Sequence, residues 1–165
     1  MAGQRVPTLE ETLAVMPRDI WLNCHLKGGP ELARAVTKVI VKTRRQHQAF
    51  LACGRKAADA ARKVSPGVLI CNMQGQGRSS AYVSATIDNK DAFIQLWGGL
   101  AEAKDMARLK AAGVRVNYCC VNDPSALKAM YASGVQFPLV DDVEPMIREA
   151  TRVGIEPWKS KHAGR

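Results

Sequence analysis

The chain has 165 residues, 24 Lys and Arg against 15 Asp and Glu, a formal net charge of +9 and 47% hydrophobic residues. That length suits one domain able to bury about 70% of the surface its unfolded chain exposes, and the composition excludes disordered, collagenous and coiled-coil chains. No apolar run approaches the roughly 18 residues of a membrane-spanning helix, and the opening MAGQRVPTLEET lacks the apolar core of a signal peptide, so the expected chain is cytoplasmic with no membrane span.

Helical and extended patterns alternate from end to end. Thr8-x-x-Glu11 has the form of a capping box, in which the Thr8 hydroxyl accepts from the third helical N–H and Glu11 reaches back. Leu9, Leu13 and Met16 follow at helical spacing, Pro17 stops the helix, and 20–26 reads as extended. Gly28-Gly29-Pro30 opens a second helix with Leu32, Val36, Val39 and Ile40 on one face. Lys42, Arg44 and Arg45 stand at its end, where cations complement the helix dipole.

Extended runs recur at 49–53, 68–73, 92–97, 115–121 and 137–140, each followed by a helical pattern. Their starts lie roughly 20 to 28 residues apart, the spacing of consecutive βα units. Hairpin connections are shorter and not helical, so the pattern predicts an α/β fold with a parallel sheet. It contains about six βα units, whereas a closed (β/α)8 barrel needs eight and about 250 residues. Two architectures remain, an open doubly wound sheet and an incomplete barrel lacking its first units. Residues 1–158 are expected to form one domain, with 159–165 as a basic tail.

Three segments hold residues that could carry chemistry. In the run Trp21–Lys27, period-2 alternation puts Asn23, His25 and Lys27 on one face and Leu22, Cys24 and Leu26 on the other. Polar groups near the carboxyl end of a parallel strand occupy the place where α/β proteins build sites. His25 could ligate a metal or move a proton and Lys27 could neutralise a phosphate; a solvated edge strand explains the face equally well. The second segment, Asn72–Ser80, contains Gly75, Gly77 and Arg78 before a helix start, an arrangement able to offer N–H groups to an anion. It lacks the Lys-Ser/Thr ending of a Walker loop and the full dinucleotide fingerprint, and an ordinary βα loop explains it more simply.

The third segment is Asn117–Pro124. Cys119 and Cys120 should face opposite sides of a strand, making a poor chelating pair; with Cys24, Cys53 and Cys71 they are expected to be buried free thiols of a reducing compartment. Asn122-Asp123-Pro124 is a helix-start signal first, and Asp141-Asp142 reads as either a carboxylate pair or a cap for the next helix. His47 and His162 fall in polar stretches and receive no role. The basic residues form no aromatic-interleaved stripe, so no nucleic-acid partner is expected.

Taken in order and spacing, VPTLEETL, DIWLNCHLKG, GVRVNYCCVNDP and ASGVQFPLVDD resemble the glycerophosphodiester phosphodiesterase family over about residues 6–142. The resemblance implies a (β/α)8 barrel with a proline-threonine-leucine-glutamate helix start and an asparagine-x-glutamate-x-lysine strand. It also implies a strand ending in valine-asparagine and a glycine-valine-aspartate strand closing on aspartate. Lys27 matches the family's lysine, implied to contact phosphate; Asn122 and Asp141 match as well. His25 stands where the family has a metal-binding glutamate, Cys119 where it has an aromatic, and Gln136 where it has the aspartate. The family's histidine-arginine-glycine motif, glutamate-asparagine pair, glutamate-x-aspartate metal pair and second catalytic histidine have no counterpart.

By resemblance the leading expectation is metal-assisted hydrolysis of glycerophosphodiesters, in which water attacks phosphorus and an alcohol and glycerol 3-phosphate leave. Lys27 and His25 would form the reacting centre, with Gly75, Gly77, Arg78 and Asn122 binding phosphate near the mouth. The implied metal is Mg²⁺ or Ca²⁺, which want oxygen ligands; His25 instead favours Zn²⁺ or Mn²⁺, or no metal at all. The alternative is a catalytically inactive phosphate-binding or protein-interaction module derived from the same barrel. A third expectation is a nucleotide-binding open sheet built on Gly75–Gly77. An incomplete barrel exposes strand edges, so a homo-oligomer covering them is expected.

Overall fold

A computed structural model describes Gly3 and residues 5–158; the basic tail 159–165 and His162 lie outside the described residues. Helix α1 (Leu9–Val15) starts on the predicted capping box. Thr8 Oγ1 accepts from Glu11 N at 3.2 Å and Glu11 Oε2 from Thr8 N at 2.8 Å. Then come β1 (Leu22–His25), α2 (Pro30–Lys42), β2 (Ala49–Cys53), α3 (Arg55–Val64), β3 (Leu69–Asn72), α4 (Ser80–Asp88), β4 (Phe93–Trp97) and α5 (Ala103–Ala111). Strand β5 (Arg115–Cys119), a 3-10 turn (Pro124–Ala126), α6 (Leu127–Ala132), β6 (Phe137–Leu139) and α7 (Val143–Arg152) complete the series.

The strands follow one another as β1-β2-β3-β4-β5-β6. A doubly wound sheet reverses its strand order at a switch point and binds its nucleotide there. The sequential order contains no reversal, which overturns the open doubly wound architecture. The connectivity is that of a (β/α)8 barrel with six of its eight units.

Two compact units divide the chain. The first comprises residues through Leu51, Lys56–Val68 and Trp158. Of the predicted stripe on helix α2, Ile40 is buried, Val36 and Val39 are half-buried and Leu32 is exposed, while Ala33 and Thr37 are buried beside them. A reading by hydropathy passes over Ala33 and Thr37, yet the Thr37 hydroxyl donates to Ala33 O at 2.7 Å and so is buried without a lost hydrogen bond. Arg45 is a second correction. The residue is 4% exposed, and its guanidinium donates to Leu13 O, to Met16 O at 2.9 Å, to Pro17 O at 3.1 Å and to Gln48 Oε1 at 3.0 Å. It therefore caps the carboxyl end of α1, not that of its own helix, by filling carbonyls that have no partner within α1.

The second unit comprises Ala52–Arg55 and Leu69–Pro157. Parallel registers pair Cys71 with Phe93, Gln95 with Asn117, Asn117 with Phe137, and Trp97 with Cys119. Alternation sends Ile94, Leu96, Val116 and Tyr118 into a core with Tyr82, Val83 and Leu109 of α4 and α5. The other face carries Phe93, Gln95 and Trp97 of β4 beside Arg115, Asn117 and Cys119 of β5. A smaller cluster of Val121, Leu127 and Met146 anchors α6 and α7.

Candidate functional site

In the first unit, β1 alternates as its sequence predicts: Asn23, His25 and Lys27 are exposed, and Leu22, Cys24 and Leu26 are half-buried. His25 ends the strand and Lys27 follows it, so both stand at the carboxyl end of β1. A cavity of about 510 Å³ runs beside the strand, lined mostly by apolar side chains such as Leu9, Leu13, Trp21 and Val36, with Asn23 and His25 also on its wall. Its apolar lining suits a hydrocarbon group better than a phosphate. His47, which received no role, is half-buried with Nε2 2.9 Å from Arg18 O.

In the second unit, the predicted residues lie in the loops that leave the carboxyl ends of β3 and β5. Gly75 takes a φ of 86°, a left-handed conformation that the loop needs and glycine supplies. Ser79 caps α4 by accepting from Tyr82 N at 3.3 Å. Arg78 Nη1 donates to Gly98 O at 2.7 Å, tying this loop to the one after β4. A side chain at Gly99 would run into the Arg78 guanidinium, so the glycine pair leaves the arginine its place. Asn122 is bonded to Asp141 in the loop after β6. Asp123 Oδ1 accepts from Ser125 N at 2.9 Å, confirming the helix-start reading. Asp142 occupies the cap position of α7 without a side-chain bond.

The cysteine expectation needs correcting. Cys119 and Cys120 are joined by a disulfide, Cys119 is half-buried and Cys120 is exposed. The alternation argument assumed that the strand continues, but β5 ends at Cys119 and opposite facing no longer applies to Cys120. Cys53 and Cys71 are buried free thiols, as expected, and Cys24 is half-buried.

Gln95 and Trp97 escaped the sequence reading, and Asn117 enters it only as the start of the third segment. Gln95 and Asn117 are buried amides joined by an Asn117 Nδ2 to Gln95 Oε1 bond of 3.1 Å. Two positions along the same face of β4, Trp97 is 63% exposed at the strand's carboxyl end. An aromatic closing an apolar strand just before Gly98-Gly99 was the available signal. Among the described residues, no three His, Cys, Asp or Glu side chains come together to hold a metal ion. His25 by itself offers one imidazole, where a stable transition-metal site draws on several ligands.

The fold is that of the glycerophosphodiester phosphodiesterases. A phosphodiesterase from Oleispira antarctica, solved in complex with the product sn-glycerol-3-phosphate, matches with a TM-score of 0.69 at 20% identity, over 88% of this chain and 61% of its own. A protein from Silicibacter pomeroyi assigned as a glycerophosphoryl diester phosphodiesterase matches at 0.69 and 14% identity, over 82% and 52%. A glycerophosphodiester phosphodiesterase from Parabacteroides distasonis matches at 0.55 and 14%, over 79% and 57%. The chain thus spans between half and two thirds of the length of these relatives. No family model and no curated protein sequence matches it.

Proposed function

We propose that the chain binds a phosphate-bearing small molecule of the glycerophosphodiester class, as a binding module derived from the phosphodiesterase barrel. The observation that carries this reading is the position of Lys27, an exposed cation at the carboxyl end of β1 in a fold whose solved relative holds sn-glycerol-3-phosphate. Lys27 supplies the charge for the phosphate, and His25 lies on the same strand face. Taken by itself, the second unit offers the Gly75–Gly77 loop, Arg78 and Asn122 as phosphate contacts of its own.

Hydrolysis is the second reading, favoured by the product bound to the Oleispira relative. It would assign His25 to Zn²⁺ or Mn²⁺ before Mg²⁺ or Ca²⁺. Calorimetric titration with sn-glycerol 3-phosphate, beside a Lys27→Ala variant, tests the first reading. Release of glycerol 3-phosphate from a glycerophosphodiester with each of the four metals tests the second. Binding lost in Lys27→Ala without turnover supports a module; metal-dependent turnover lost in the same variant makes the chain an enzyme. Neither binding nor turnover removes both. The proposal includes a cytoplasmic chain and a homo-oligomer that covers the edges of β1 and β6, the end strands of the order; a monomer in sedimentation would count against the oligomer.

A further inference from the structure

The positive charge is not evenly shared. Among the described residues, the first unit carries eleven Lys and Arg against five Asp and Glu, and the second carries ten against ten. Part of the first unit's excess lies beside exposed aliphatic side chains. The end of α1 and its link to β1 are held to the end of α2 and the turn after it. Arg45 bonds to Leu13, Met16 and Pro17, Arg18 Nη1 donates to Arg44 O at 3.3 Å, and Gln48 Nε2 donates to Pro17 O at 2.9 Å and Ile20 O at 2.8 Å. In the segments of this platform Val15 is 81% exposed, and Met16, Ile20 and Val41 are exposed as well. Arg18, Lys42 and Arg44 are exposed in the same segments, against one acidic side chain, Asp19.

We propose that this platform docks the chain on the surface of an anionic lipid bilayer. Val15, Ile20 and Val41 enter the headgroup region, and Arg18, Lys42 and Arg44 meet lipid phosphates. Exposed aliphatics and exposed cations carried by the same segments are the composition of an interfacial lipid contact. A nucleic acid would satisfy the cations but give the aliphatic side chains no apolar phase, and the link's aromatic, Trp21, is half-buried beside Phe50 rather than presented for base stacking. Among the described residues no helix is long and apolar enough to cross a membrane, so the contact is with the surface. The platform lies at the amino end of β1 and Lys27 beyond its carboxyl end, so docking leaves Lys27 uncovered.

Co-sedimentation of the full chain with vesicles tests the proposal. The chain should pellet with phosphatidylcholine mixed with phosphatidylglycerol at low salt and stay in solution with phosphatidylcholine alone. Lys42→Gln and Arg44→Gln should each lower the partition about fivefold, the effect of one cation near an anionic surface. Val15→Ser with Val41→Ser should lower it too, with net charge unchanged. Lys110→Gln with Lys128→Gln, exposed cations of the second unit, should leave it unchanged. The substituted side chains are all exposed, and circular dichroism checks that each variant is folded. Absence of pelleting with the mixed vesicles overturns the proposal, as does an equal loss in the second-unit pair. Insensitivity to the valine pair, with heparin bound as well as vesicles, would overturn it in favour of a general polyanion surface.

Discussion

Asn122 and Asp141 bond each other twice across neighbouring loops. Asn122 Nδ2 donates to Asp141 Oδ2 at 2.8 Å, and the Asp141 backbone N–H donates to Asn122 Oδ1 at 3.3 Å. The backbone adds a third tie at the same place, Val121 N to Leu139 O at 2.8 Å. The two residues that the resemblance carried over as matching positions are thus partners that hold together the loops after β5 and β6.

Both side chains are exposed, so water replaces much of what a substitution removes. Asn122→Ala should cost about 1 kcal/mol in urea unfolding. A double-mutant cycle with Asp141→Ala should give a coupling of about 0.5 kcal/mol or more, since residues in contact do not add. Additive losses would mean that the pair does not act as one.

What could be read in the sequence was local. The Thr8–Glu11 box, the strand alternation of Asn23, His25 and Lys27, and the Asp123 cap each depend on residues within a few positions, and each is found as predicted. The βα repeat was legible because its period is set by one strand and one helix. What was missed depends on distance along the chain: Arg45 bonds residues 28 to 32 positions away, and Arg78 bonds Gly98, 20 positions on. Gln95 and Asn117 meet only once β4 and β5 are in register. Cys120 was misread because the alternation rule was carried one residue past the strand's end.

Arg45 should be costly to replace. Its guanidinium serves carbonyls of α1 and the following turn while Gln48 orients it, so Arg45→Met leaves buried acceptors unfilled and should lose about 3 kcal/mol in urea unfolding. Burial pushes the Arg45 pKa below its ordinary value, and Arg18 adds to the shift, but a guanidinium keeps its proton throughout the working range. Arg45→Lys should not restore stability, because a single ammonium cannot span acceptors placed for a planar fork. Full recovery in Arg45→Lys would show that charge alone matters.

Thiol titration separates the cysteines. In denaturant without reductant three thiols should react, those of Cys24, Cys53 and Cys71, and five after reduction. In the folded chain burial pushes the Cys24 thiol up to about 11 and that of Cys71 further. The thiolate is the reactive form, so alkylation near neutral pH should be slow at both. Five reactive thiols in denaturant before reduction would exclude the Cys119–Cys120 bond.

Acid should weaken the chain partly through Asp105. This carboxylate is 1% exposed, accepting from the Ser80 hydroxyl and from Arg108 Nη1 at 2.8 Å, so that α4 and α5 share it. The Ser80 bond first, and Arg108 second, hold its pKa below the ordinary 3.8. A depressed folded value means that the stabilisation is fully present above the unfolded value and is lost as pH falls through the folded one. Exposed Glu11, held down to about 2 by Arg5 and by Thr8, acts in the same direction and is the part that salt should screen. Asp105→Asn should therefore be less stable than the parent at neutral pH, and its urea midpoint should fall less steeply below about pH 4. Midpoints that fall in parallel through that range would assign the acid sensitivity to other carboxylates.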